Sequence, residues 1–196
     1  MNAKLVELLQ QMLETELGGV KIYQTALECA RDPKLREEWT KYLRQTQKHV
    51  EVMEELLAKL GVGPAETPGS LVVRFIGQSL VNAMNRAKGG GDPAATEIVA
   101  CECVVFAETK DHQNWSLLSK CAEEAEEPIA SALAEACAQV EEEEDAHLYH
   151  SKGWCRELWI QMLGMAAVLP PPEEKKNVKS EIEAGRAKQK RKQAAE

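Results

Sequence analysis

Apolar residues recur along this chain at alternating steps of four and three, the period of an α-helix with one buried face. The first stretch carries Leu5, Leu9, Met12, Glu16, Gly19, Val20, Tyr23, Ala26 and Ala30 on its stripe. Arg31-Asp32-Pro33 then breaks the pattern, and Asp32 before Pro33 is a helix-start signal, an N-cap ahead of a proline in the first turn. A second helix repeats the stripe with Leu35, Trp39, Tyr42, Thr46, His49, Met53, Leu56 and Leu60, and Gly61-Val62-Gly63-Pro64 ends it. A long crossover follows, with a short helix predicted from about Ser70 to Ala87 before the Gly89-Gly90-Gly91-Asp92-Pro93 stop. The third bundle helix is predicted from Pro93 to Ala122, with Ala94, Ile98, Cys101, Val105, Glu108, His112, Trp115 and Ser119 facing the core. A turn near Glu123 to Pro128 leads into the fourth, Pro128 to Met165. Its stripe is Leu133, Cys137, Val140, Glu144, His147, Ser151, Trp154, Leu158 and Gln161. Strand-type alternation and β-branched runs are missing. The expected fold is all-α, two helical hairpins joined by a long connection into a four-helix bundle.

Composition changes this picture little. The 196 residues fit one domain, with the bundle expected over 1–169. Residues 170–196 form a tail opened by Pro170-Pro171-Pro172 and ending in the basic run Lys188-Gln189-Lys190-Arg191-Lys192. Such a tail is expected to be solvated, or else to dock onto an acidic partner. The net charge of −8 argues against general nucleic-acid binding. No run is apolar for long enough to span a membrane, and the N-terminus enters an amphipathic pattern without a signal-peptide shape. The six cysteines (29, 101, 103, 121, 137 and 155) form no Cys-x-x-Cys pair, which predicts reduced core thiols and a cytoplasmic protein.

Five polar residues interrupt the stripes: Glu16, His49, Glu108, Glu144 and His147. Glu144-Asp145-Ala146-His147 sets a carboxylate and an imidazole on one helix face, where both can grip a single metal ion. In an antiparallel hairpin, residues equidistant from the turn share a level. The midpoint of Glu16 and Thr46 falls at 31, inside the first break, and that of Glu108 and Glu144 at 126, inside the second turn. Glu16 is therefore expected level with Thr46 and His49, and Glu108 with Glu144 and His147. At about 1.5 Å per residue, both levels lie roughly 20 Å or more from the turns. The halves also read as a repeat. Glu16 is followed by Tyr23 and then Cys29-Ala30, and Glu108 at the same spacing by Trp115 and then Cys121-Ala122. Taken singly, His49 reads as a core histidine and Glu144 as part of a solvated acidic run. Buried together at matched heights, three carboxylates and two imidazoles predict a metal site, because buried charges are costly unless paired or bound to a cation.

At these residues the chain resembles the ferritin-like superfamily, nearest to the rubrerythrin-type and related small di-metal proteins, over about residues 5–165. The resemblance implies a ferritin-like four-helix bundle. Its first and third helices each give one Glu, and its second and fourth each give a Glu-x-x-His. Glu16, Glu108, Glu144, His147 and His49 match that pattern, whereas Thr46 stands where a carboxylate is called for. Three readings of the departure stay open: an asymmetric di-metal site, a single ion on Glu108, Glu144 and His147, or a metal-free polar network. Asp111 and His112, one turn beyond Glu108, are additional candidate ligands that could make up the shortfall, or else hydrogen-bonded core residues.

The resemblance further implies iron, as a di-iron pair, with manganese or zinc as alternatives. The implied activity is that of a non-haem di-iron or di-manganese oxidase or peroxidase, or of an iron-handling protein. Oxygen or peroxide would be the oxidant. The electron donor would be separate, since the two Cys-x-x-Cys pairs of a rubredoxin-like module are absent. The rival reading is a non-catalytic helical bundle with a degenerate metal site, serving in assembly or binding. A storage shell fits less well, because a basic tail stands where a shell-forming ferritin has a short apolar helix. A homodimer paired along a bundle flank is expected, with no nucleic-acid or membrane partner.

Overall fold

The structure, a computed structural model, describes residues 2–166. Its helices begin and end where local chemistry satisfies the free backbone groups of a helix terminus. In α1 (Ala3–Cys29) the Asn2 side chain accepts from Lys4 N. Asp32 does the same for α2 (Pro33–Lys59), accepting from Lys34 N and Leu35 N, as the sequence predicts. The crossover helix is not short: α3 (Pro68–Gly89) runs for 22 residues from a reciprocal capping box between Thr67 and Ser70. Asp92 caps α4 (Pro93–Glu124), and α5 (Ile129–Met162) follows Pro128. Among the described residues there are five helices and no strand. No helix among them is long and apolar enough to cross a membrane. The expected tail, residues 170–196, lies outside the described residues.

The five helices form a bundle. α1 packs against α2, α3 and α4, while α4 also packs on α5 and α3, and α2 touches α5. Each hairpin is antiparallel. Gln10 reaches Gly63 O at 2.9 Å, while further along α1 Gly19 abuts Thr46. In the second hairpin Trp159 donates to Glu102 and His147 meets Glu108. One buried carboxylate fastens the first turn to the second hairpin: Glu97 Oε1 accepts from Arg31 N at 2.5 Å and Asp32 N at 2.7 Å.

The apolar interior is split in two. One cluster holds Leu9, Met12, Met53, Leu56, Leu118 and Leu133; the other holds Ile22, Tyr23, Leu35, Trp39, Met84 and Val104. All six cysteines are free thiols, four of them buried. Along α4 the buried stripe is Cys101, Val104, Glu108, Asp111, Trp115 and Leu118, in place of the Val105, His112 and Ser119 positions expected from the sequence. Both choices obey the three–four spacing. α1, α3 and α5 all pack on α4, and the face they cover is one position away from the expected one at those turns.

Fully buried Leu118 and exposed Phe75 make a contrasting pair. Leu118→Ala is expected to lower unfolding stability by roughly 2–5 kcal/mol. Phe75→Ser should change it by no more than about 0.5 kcal/mol. Urea denaturation of both variants checks this.

Candidate metal centre

Between the two apolar clusters lies a layer of ionisable side chains drawn from all four long bundle helices. Glu16 comes from α1, His49 from α2, Glu108 and Asp111 from α4, and Glu144 and His147 from α5. Glu16, His49 and His147 are each 0% exposed, and the other three carboxylates are buried as well. His49 Nδ1 lies 3.0 Å from Glu144 Oε1 and 3.7 Å from Glu16 Oε2. His147 Nδ1 lies 3.4 Å from Glu144 Oε1 and 3.6 Å from Glu108 Oε2. The two imidazoles stack with centroids 5.6 Å apart. Two overlapping groups result, His49–Glu144–His147 and Glu16–Asp111–Glu144. Within each, one ligand atom per residue lies within 4.8 Å of the others. Glu144 belongs to both.

Close as these atoms are, their lone pairs are left over. Glu16 Oε2, Glu108 Oε2, Asp111 Oδ1, both Glu144 oxygens and both histidine Nδ1 atoms are buried without an aligned hydrogen bond. The far side of each histidine is engaged. His49 Nε2 meets Glu143 Oε2 at 2.9 Å, and His147 Nε2 meets Gln45 Oε1 at 3.1 Å. Such outer acceptors fix the tautomer of a metal-ligating histidine and leave the other nitrogen free for the ion. The donor set thus fits a metal: free inward-facing nitrogens and oxygens, braced from behind.

The bracing follows the repeat. Gln45 and Glu143 each stand four residues before the histidine of their own helix, and each crosses to the histidine of the other hairpin. Trp115, the counterpart of Tyr23, donates from α4 to Glu16 Oε1 on α1 at 2.7 Å. Tyr23 lies within electrostatic reach of Glu108. Burial first, and then that carboxylate, drive its phenol well above the usual range. Gln45 and Glu143 were not singled out from the sequence, although their shared offset from His49 and His147 is a readable signal.

Thr46 is buried, and its Oγ1 donates to Tyr42 O at 3.0 Å, so it brings no carboxylate to the layer. Asp111, three residues after Glu108, is drawn into the group with Glu16 and Glu144. The other additional candidate, His112, is placed elsewhere. Its Nδ1 lies 3.6 Å from Asp145, and its ring meets Tyr149 edge-on. The one-position rotation of the α4 stripe selects between them.

The electrostatics reflect the crowding. Burial, with the Glu144 charge next, pushes Glu16 up to about 8. Glu108 is raised for the same two reasons. Burial, reinforced by Glu16 and Glu144, lifts Asp111 well above the usual carboxylate range. Burial works against the charge on Glu144 too, but contacts with His147 and His49 outweigh it and hold Glu144 down to about 2. Burial likewise opposes charge on His147, yet Glu108 and Glu144 push it up to about 10; His49 is raised by Glu144 and Glu16. Comparison with protein-family models, with curated proteins and with solved structures finds no match to this chain.

Without metal, Glu16 and His147 hold protons in the folded chain that they release at lower pH when unfolded. Stability therefore falls as pH rises, from 4.5 to about 8 through Glu16 and from 6.5 to about 10 through His147. Glu144 acts oppositely, with its contribution present above 4.5 and lost as pH falls toward about 2. Thermal melts of chelator-stripped protein should show a melting temperature that declines between pH 6.5 and 10. A flat profile across that window contradicts the charged imidazole.

Proposed function

We propose that this chain is a ferritin-like metal-binding protein. Its buried layer would hold two adjacent iron or manganese ions that share Glu144. The carrying observation is the set of orphaned, buried ligand atoms, with each histidine turned by an outer acceptor so that Nδ1 faces the carboxylates. His49 and His147 with Glu144 make a nitrogen-rich position, and Glu16 and Asp111 with Glu144 make an all-oxygen one. Mixed oxygen and nitrogen donors of this kind suit iron or manganese, and zinc can occupy them. In this reading Asp111 supplies the carboxylate that Thr46 lacks.

Bound there, iron or manganese would supply redox chemistry toward oxygen or peroxide, the oxidase, peroxidase or iron-handling activity that the family resemblance implies. The chain's own contribution is placement and shielding. Gln45 and Glu143 orient the imidazoles, Trp115 holds Glu16, and the apolar clusters above and below exclude water. One observation favours the rival, metal-free bundle: the imidazolium–carboxylate contacts can neutralise much of the layer without an ion.

Purification without chelator from cells grown with iron and manganese, followed by elemental analysis, separates the two. The expected result is one to two ions per chain, since neutral imidazoles and ionised carboxylates are what a metal selects. A metal-free product ends the proposal. Asp111→Asn should halve the retained metal, whereas Glu144→Gln, which strips both positions of their common ligand, should abolish it. Gln45→Leu leaves every ligand in place and is expected to weaken affinity by about 10–100-fold in a chelator competition.

A further inference from the structure

We propose that the cleft bounded by α1, α3 and α4 is a binding site for a single-chain apolar carboxylate, a free fatty acid of medium length. The cleft encloses about 710 Å³, within the range of small-molecule sites. Its shape follows from glycine. α3 lies on α1 where Gly77 meets Gly18, and a Cβ on Gly77 would make an ordinary contact with the Gly18 Cα at 3.8 Å. A Cβ on Gly18 itself would meet nothing within 4 Å, so its missing side chain leaves open space along the α1 wall. Ile22, Val73 and Leu80 line the cleft, and Phe106, 66% exposed, stands at its α4 edge. An apolar hollow open to water favours an apolar chain.

Charge fixes the head group. Lys110 lines the cleft, donates to the neutral Asn114 Oδ1 at 2.5 Å, and has no carboxylate within ion-pair distance among the described residues. The acid that shares the cleft, Glu14, is held in a two-bond pair by Arg74, at 3.0 and 2.9 Å, and Arg74 also pairs with Glu66 at the exposed rim. Of the two charged residues that line the cleft, Lys110 is the one without an ion-pair contact among the described residues, and a carboxylate completes it. The basic segment 188–192 of this chain has the wrong sign to serve. This site stands whether or not the buried layer holds an ion.

Calorimetric titration of the full chain with dodecanoate, below its micelle concentration, is expected to saturate at one molecule per chain. Dodecyltrimethylammonium, with the same chain and the opposite charge, should bind at least about tenfold more weakly. Lys110→Gln should remove that preference and leave dodecanol binding unchanged. Gly18→Leu fills the open space and improves helix propensity. It should abolish binding with a melting temperature no lower than that of the parent. Equal binding of both head groups, undiminished binding by Gly18→Leu, or no saturable binding overturns the proposal. So does a dimer, seen by sedimentation, that Gly18→Leu dissociates, since that assigns the cleft to a second copy.

Discussion

Six ionisable side chains with almost no access to water cross the middle of this bundle, and the surrounding structure is arranged to tolerate them. An unpaired buried charge carries a penalty of several kcal/mol, against a total stability of about 5–15 kcal/mol for a typical domain. Four carboxylates and two imidazoles cannot all stay charged and unpaired on those terms. The metal-free chain spreads the load three ways: Glu16 and Asp111 are driven toward the protonated form, Glu144 is ionised between two imidazoles, and outer polar groups hold the far nitrogens. Several lone pairs still lack an aligned partner. A cation is one species that could satisfy them together, since the ligand atoms of each group lie within 4.8 Å of one another.

Much of this is legible in the sequence because helical hairpins obey simple geometry. A turn fixed by Asp32-Pro33 sets which residues of α1 and α2 share a height, and the repeat carries that rule to α4 and α5. The level of Glu16, His49, Glu108, Glu144 and His147 follows from spacing alone. The rotation of α4 does not. Steps of three and four admit either Asp111 or His112 on the inner face, and the choice depends on how α4 is turned against α1 and α5, which spacing along one helix does not fix. The outer acceptors escape notice for a different reason. Gln45 and Glu143 lie on partly exposed faces, where polar residues are common and carry no pattern until the helices are set side by side.

The crossover helix also explains why the bundle has an open flank. α3 lies against α1 and α4 and leaves much of its own surface to solvent, including Leu71, Val72, Phe75 and Ile76. It meets α1 where Gly77 faces Gly18, and the space beside α4 is a hollow. Its floor includes Thr15 and Lys110, the chain neighbours of Glu16 and Asp111. Two chemically unlike regions, one charged and sealed, one apolar and open, thus share a wall one residue thick along the chain.

Thr46 has a partner in the fold that its sequence neighbours do not reveal. A Cβ added at Gly19 would lie 3.1 Å from the Thr46 γ-methyl, tighter than ordinary contact. Positions 19 and 46 are consequently epistatic. While residue 46 is threonine, position 19 favours glycine, and while 19 is glycine, a residue at 46 without a γ-carbon leaves space where the methyl sat. The effect of placing a carboxylate at 46 therefore depends on the residue across the helix interface. That interlock ties the donor set of α2 to the packing of α1 against it.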